Sequence, residues 1–298
     1  MHREETLTLG KIVFAFGTIV LLASCSLLAG NGTSASQTQQ KDTATTAQAT
    51  AFRSFETSFE SVSDFSGFYI VTQGDYDSNH SLSAEQLRDG GYSHKAWIVK
   101  ARAANNDSAV YLPHRAYPTI QLHKTSGGVF RTPCLVSLWV YLDMQLTDRP
   151  AGQIDDWFSF ATLSPDASDG WTRTIGVNIV HDGYVRLVHV PDQGKQEYIY
   201  QAAAPNDPDG KLLFPQRKWV RLDILISLDA QNGYAKVWQN GSLVSHALVR
   251  GGNGTLAQSH FGLYASAAIA AGTIFNDKLR IRETADEKEA LALVGDNW

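Results

Sequence analysis

Two stretches of this chain place aromatic rings and charges in a pattern suited to sugar recognition. In CLVSLWVYLD, positions 134–143, Cys134, Val136, Leu138, Val140 and Leu142 alternate with Trp139, Tyr141 and Asp143. A strand sends successive side chains to opposite faces, so the aliphatic set points into a core and the ring-bearing set points away from it. KWVRLDILISL, positions 218–228, repeats the scheme: Val220, Leu222, Ile224, Ile226 and Leu228 face inward and Trp219, Arg221 and Asp223 face outward. If both strands belong to a concave sheet, Trp139 or Tyr141 stacks on a sugar ring while Arg221 and Asp223 bond its hydroxyls. The competing reading of the same pattern is an inter-strand ladder of rings and ion pairs.

Asn178 and His189 form a second candidate pair, on either side of Asp182-Gly183 in VNIVHDGYVRLVHV. A two-residue turn at Asp182-Gly183 would put both on one face with Val180, Val185 and Leu187. Those apolar neighbours favour a satisfied core histidine over a catalytic one. The Asp-rich stretches SPDASDG (164–170) and NDPDG (206–210) offer the carboxylate and carbonyl oxygens that calcium takes, and equally the composition of simple turns. No other cofactor is expected, and no cluster with metal-ligand spacing is evident. Cys134 lies within an alternating apolar run, which fits a small buried core residue better than a nucleophile.

The elements that must position these residues are strands. From about residue 52 to 283 the apolar pattern has mostly a period of two, rich in aromatic and β-branched residues and punctuated by Gly, Asp, Asn and Pro. The expected strands include 67–72, 95–103, 117–123, 134–143, 156–163, 173–180, 184–190, 218–228, 234–239, 243–249, 260–265 and 273–282. Asn240-Gly241 supplies the positive φ angles of a tight hairpin and sets Trp238 opposite Leu243 and Val237 opposite Val244. The fold class is therefore all-β, a two-sheet antiparallel sandwich over 52–298. TADEKEALALV near the end favours one short helix. The formal net charge of −5 comes without a clustered basic stripe, so nucleic acid is not an expected partner.

The N-terminal region has a different character. Residues 12–24, IVFAFGTIVLLAS, are apolar and uncharged but shorter than the roughly 20 residues that span a bilayer. Their length suits the core of an export signal. Leu22-Ala23-Ser24-Cys25 resembles the lipobox of bacterial lipoproteins. That resemblance implies cleavage before Cys25, diacylglycerol on its thiol and a further acyl group on the freed amine, a two-signal anchor. Residues 1–24 then read as signal peptide, and 25–51, rich in Ser, Thr, Gln and Ala, as a flexible tether. Cys134 is left without a partner for a disulfide. Ser26 follows the cysteine where many inner-membrane lipoproteins carry aspartate, which tilts the expected location toward the outer membrane.

CLVSLWVYLD, RKWVRLDILISLD, GYAKVWQNGSLV and HFGLYASAAIAAGTIFNDKLRI, in this order, resemble the concanavalin A-like lectin/glucanase superfamily. The similarity is to its laminin G-like jelly rolls and to bacterial polysaccharide lyases of heparin-lyase type, mainly over the second half of the chain. It implies a jelly roll and contact with carbohydrate; Asp277 would tie down the loop entering the last strand. The E-x-D-x-x-E strand of the superfamily's retaining glucanases is missing. Gln121-Leu122-His123 is similar to the Q-[IV]-H strand of alginate lyases, without their R-T-E and Y-F-K partner motifs, so an ordinary strand-end histidine competes with a catalytic His123.

The expected function is that of a lipid-anchored envelope protein binding a polysaccharide or glycan. The alternatives are a polysaccharide lyase that cuts a uronic-acid polymer by β-elimination, and an adhesion module for protein.

Overall fold

The computed structural model describes residues 52–66, 68–70, 74–102, 113–125, 127–150, 155–168, 170–191, 197–199 and 212–296. The signal peptide, Cys25 and the tether expected over 1–51, and the 206–210 stretch, lie outside the described residues.

In chain order the strands are β1 (Ser54–Thr57), β2 (Phe68–Ile70), β3 (Ser78–Ser83), β4 (Ser93–Ile98), β5 (His114–Ala116), β6 (Pro118–Ile120), β7 (Phe130–Arg131), β8 (Cys134–Met144) and β9 (Trp157–Ser164). They continue with β10 (Thr174–Val180), β11 (Val185–Val190), β12 (Glu197–Ile199), β13 (Trp219–Ser227), β14 (Gly233–Gln239), β15 (Ser242–Val249), β16 (Thr255–Leu256), β17 (Gln258–Ala265) and β18 (Gly272–Glu283). Helix α1 (Glu287–Leu293) follows, its first turn capped by the Asp286 carboxylate, which accepts from the Glu289 amide.

Two antiparallel sheets pack face to face, as the all-β sandwich reading requires. The first runs β15-β14-β13-β8-β18-β4-β3 with β1 added on β18; the second runs β12-β11-β10-β9-β17-β6-β2 with β5 added on β17. The core between them is built by the expected alternation: Val136, Leu138, Val140, Val220, Leu222 and Ile224 are all buried, in register across β8 and β13. From the second sheet, Phe158, Leu163, Ile175, Val177 and Leu187 meet them.

The first half of β8 is buried on both faces. Leu135, Leu225, Trp238 and Ala290 form a separate cluster, packed by Leu293 and Val294, so the chain's own C-terminus covers part of the first sheet's outer face. Cys134 is buried, as expected of a core residue, and burial pushes its thiol pKa upward.

Two hairpins illustrate how register is set. Asn240 and Gly241 both have positive φ, and Trp238 pairs with Leu243 as the turn chemistry predicts. A bulge one residue further on pairs Val237 with Ser245 instead of Val244. The Asp182-Gly183 loop corrects the sequence reading more deeply. Ile179 pairs with Val185 and Asn178 with Arg186, so the connection is longer than two residues. A slip of one residue exchanges faces. Asn178 and His189 therefore lie on opposite faces of the second sheet.

Candidate functional site

A cleft of about 680 Å³ lies on the outer face of the second sheet, lined from β2, β5, β6, β9, β10, β11 and β17 and from neighbouring loops. Its position follows from alternation along HRAYPTIQ. Arg115, Tyr117, Thr119 and Gln121 all line the cleft, while Ala116, Ile120 and Leu122 are buried beneath. On β17, His260 and Tyr264 line it too.

Gly262 lies between them with φ +111°, at the point where the β17 register shifts. A Cβ here would stand 3.1 Å from the Ala116 carbonyl oxygen and 3.3 Å from the Tyr117 Cα. The missing side chain lets the 116–117 backbone approach β17. Tyr117 thereby stacks on His260, with ring centroids 4.0 Å apart and planes 15° apart. Tyr264 meets both rings edge-on, 5.9 Å from Tyr117 and 5.3 Å from His260. The Arg115 guanidinium sits 5.2 Å from the Tyr76 ring and 5.7 Å from the Tyr264 ring.

The electrostatics follow from this packing. Burial, helped by the Arg115 charge, pushes the His260 pKa down to about 3, so its imidazole is neutral. Burial raises the Tyr117 pKa, against the pull of Arg115, and keeps the phenol protonated. Burial disfavours the Arg115 charge, but the phenols of Tyr117, Tyr264 and Tyr76 outweigh it and the pKa is raised. Lys124 adds a second cation at the exposed rim. Among the described lining residues there is no carboxylate.

Several buried polar atoms in this cleft have no hydrogen-bond partner among the described residues: Arg115 Nε, Asn178 Oδ1, and both ring nitrogens of His260. Buried polar groups are nearly always satisfied; unpartnered ones also occur away from the cleft, at His94, Gln239 and Asn276 for example, so those here have weight only together with the character of the lining.

The residues singled out from sequence divide between this cleft and other places. Gln121 and Asn178 line it. His123 does not, because the strand expected over 117–123 ends at Ile120 and Leu122–Lys124 forms a 3₁₀ turn; its Nδ1 donates to the Ala257 carbonyl oxygen at 3.2 Å. Gln121 and His123 therefore do not present one strand face. His189 is buried on the core-facing side, its Nε2 against the Arg250 backbone, 3.0 Å from the carbonyl oxygen and 3.3 Å from the amide.

Trp139, Tyr141, Arg221 and Asp223 belong to the first sheet, on the side remote from the cleft. Arg221 and Asp223 do not reach an open surface. The Arg221 Nη2 donates to Asp223 Oδ1 at 2.8 Å, to Asp296 Oδ1 at 3.0 Å and to the Leu293 carbonyl at 3.2 Å. Asp223 also accepts from Ser137 Oγ at 2.6 Å and from the Gly295 amide at 3.2 Å. This is an ion network under the C-terminal segment. Trp139 lies beneath the Arg88 guanidinium at 4.1 Å, and Tyr141 packs edge-on between Trp219 and Phe275. The four do not converge on one groove.

In the 164–170 stretch, the Asp166 carboxylate is engaged by its own turn. It accepts from the Ser168 amide, and from the Thr172 amide and hydroxyl at 2.9 and 2.7 Å. Asp277 lies within β18 and accepts from the Arg88 and Asp89 amides at 3.0 and 3.2 Å, so it ties down the β3–β4 loop and not, as expected, the loop entering the last strand.

Sequence reasoning passed over Arg115, Tyr117, His260 and Tyr264. The last two sit in HFGLY, which entered the sequence analysis only through its resemblance to jelly-roll domains.

No family model matches this chain, and no curated protein sequence does. Solved structures do. An endo-β-1,4-glucuronan lyase from the fungus Trichoderma reesei aligns with TM-score 0.50 at 12% identity, over 77% of this chain and 95% of that one. The cellulose induced protein Cip1 aligns with TM-score 0.52 at 15% identity, over 77% and 97%. Both likenesses show the fold, a jelly-roll sandwich shared along nearly the whole length of the compared proteins.

Proposed function

We propose that the cleft on the second sheet binds a polysaccharide carrying carboxylate groups, a uronic-acid polymer. The observation that carries this reading is the cleft's lining, which among the described residues brings the cations of Arg115 and Lys124 together with the rings of Tyr69 and Trp171 and has no carboxylate. A sugar carboxylate would meet the guanidinium of Arg115, a geometry arginine matches in a bidentate way. The neutral imidazole of His260 offers one donor and one acceptor to sugar hydroxyls, and Asn178 Oδ1 a further acceptor. Rings of Tyr69 and Trp171 supply stacking faces. Retention of the protein on immobilised polyglucuronate or alginate, lost in Arg115→Ala and weakened by salt, tests this reading.

One observation favours cleavage as well as binding. The guanidinium that would neutralise the uronate lies over the Tyr76 and Tyr264 rings, and Tyr264 in turn meets Tyr117 and His260. Such neutralisation acidifies the C5 proton, which is what β-elimination needs. A phenolate at Tyr264, beside the Arg115 charge, takes the C5 proton, the electron pair forms the C4–C5 double bond, and the C4–oxygen bond breaks. The leaving oxygen is protonated by a neighbouring phenol, and no water enters. The glucuronan lyase that shares this sandwich is consistent with that reaction. Ultraviolet absorbance from the unsaturated product tests it; a broad uronate panel giving no such absorbance leaves binding alone.

The anchor completes the proposal. Leu22-Ala23-Ser24-Cys25 supports lipidation at Cys25 and display outside the cytoplasm, where extracellular polysaccharides are met. Cys25→Ser should release the protein from the membrane fraction.

A further inference from the structure

Trp171 stands at the end of the loop between β9 and β10, lines the cleft, and has a φ of +48°. A bulky side chain in that left-handed region is an outlier that persists only where its surroundings over-determine it. Here they do. Asp166 accepts from the Thr172 amide and hydroxyl on one oxygen and from the Ser168 amide on the other. Gln258 Nε2 then donates to the Asp166 and Ser168 carbonyl oxygens, both at 2.8 Å, pinning the loop to β17. The result is an indole held 5.0 Å from the His260 ring, with the two planes at 42°.

We infer that Trp171 is the sugar-stacking residue that sets the fit of the cleft, and that Asp166 is its positioning residue. The inference rests on the proposed polysaccharide binding. Among the described residues the hydrogen bonds that close the loop come from Ser164, Asp166, Ser168, Thr172, Asn253 and Gln258, so its closure does not depend on an indole at the strained position. The ring is half-buried, which leaves one part against His260 and another toward the cleft. Asp166 contacts the loop and not the cleft, so it acts on the ligand only through the placement of the ring.

The test is a double-mutant cycle read by binding to polyglucuronate, alginate and a neutral β-glucan. Trp171→Ala should weaken uronate binding about tenfold or more, and Trp171→Phe should recover most of it. Asp166→Ala, with Asp166→Asn as a milder variant that keeps one acceptor, should lose a comparable amount, and Asp166→Ala/Trp171→Ala should be no weaker than Trp171→Ala. The near-ultraviolet circular dichroism that disappears in Trp171→Phe should also disappear in Asp166→Ala.

Wild-type affinity in Trp171→Ala overturns the stacking role, and additive losses in the double variant overturn the positioning role. Binding to the neutral glucan alone, still sensitive to Trp171→Ala, would sink the uronate reading and keep Trp171. Binding to none of the polymers would sink both.

Discussion

Tyr117 and His260 stack with nearly parallel rings, 4.0 Å between centroids, on the open face of the second sheet. The imidazole is buried to 6% exposure with neither nitrogen hydrogen-bonded among the described residues. An arrangement that leaves polar atoms unsatisfied is costly to the fold and useful to a ligand. It separates stability from function in a way that single substitutions can expose.

His260→Phe keeps a ring against Tyr117 and removes the unsatisfied nitrogens. The variant should be more stable than the wild type by about 1 to 3 kcal/mol in urea unfolding. Its affinity for uronate polymers should fall at least tenfold. A variant that loses stability while binding normally would contradict the assignment.

Arg115→Ala should abolish most of the salt-sensitive part of polysaccharide binding. Removing the guanidinium also removes the charge that helps hold the His260 pKa low. The imidazole pKa of this variant, followed by NMR, should rise from about 3 toward the ordinary value of 6.5. It should not reach it, because burial is the larger cause.

Acid should destabilise the sandwich. His94 and His260 are buried and neutral, each with its pKa pushed down to about 3 from 6.5; burial is the main cause in both, with the neighbouring His80 adding to it at His94. Between these values the unfolded chain binds more protons than the folded one. Stability is therefore complete above pH 6.5 and falls as pH is lowered, with a slope of up to about 1.4 kcal/mol per unit per histidine. Asp277, pushed up to about 6 by burial, acts oppositely: between 3.8 and 6 the fold holds its proton and stability drops as pH rises. His80 and His114, whose pKa values burial also lowers, act with the other two histidines, so acid destabilisation prevails. Urea titrations from pH 7 to pH 5 should show it, and His260→Phe should flatten the slope.

Arg221→Ala should damage the fold and spare the cleft. Its side chain is 6% exposed and its ion-pair partner Asp223 is fully buried, both under the C-terminal segment. Stranding the Asp223 charge should cost about 3 to 5 kcal/mol. Binding measured at low temperature on the folded fraction should match the wild type. Loss of binding with unchanged stability would return Arg221 to the ligand site.

Much of the sandwich was legible because its core obeys one rule. Alternation placed Val136 through Leu142 and Val220 through Leu228 correctly, and Asn240-Gly241 fixed a hairpin through its backbone chemistry. The site was less legible because it depends on which outer face stays open. Trp139, Tyr141, Arg221 and Asp223 have the right pattern, but α1 and Asp296, more than 70 positions away from Arg221, cover its charged end. No local signal reports that contact.

The Asn178–His189 pairing failed through one residue of register, set by a longer loop in which Phe214 donates to the Gly183 carbonyl. The alternation of Arg115, Tyr117, Thr119 and Gln121 was readable in principle. Its strand was expected to begin at 117, which omitted the arginine and left Gln121 attached to His123.

The account stands most directly on the affinity of the wild-type protein and its Arg115→Ala variant for a uronate polymer, measured by calorimetry beside a neutral glucan of similar length. The predicted result is saturable binding of the uronate by the wild type, at least tenfold weaker in the variant, with no comparable heat from the neutral glucan. Equal uronate binding by the two proteins, or wild-type binding of the neutral polymer alone, would contradict it.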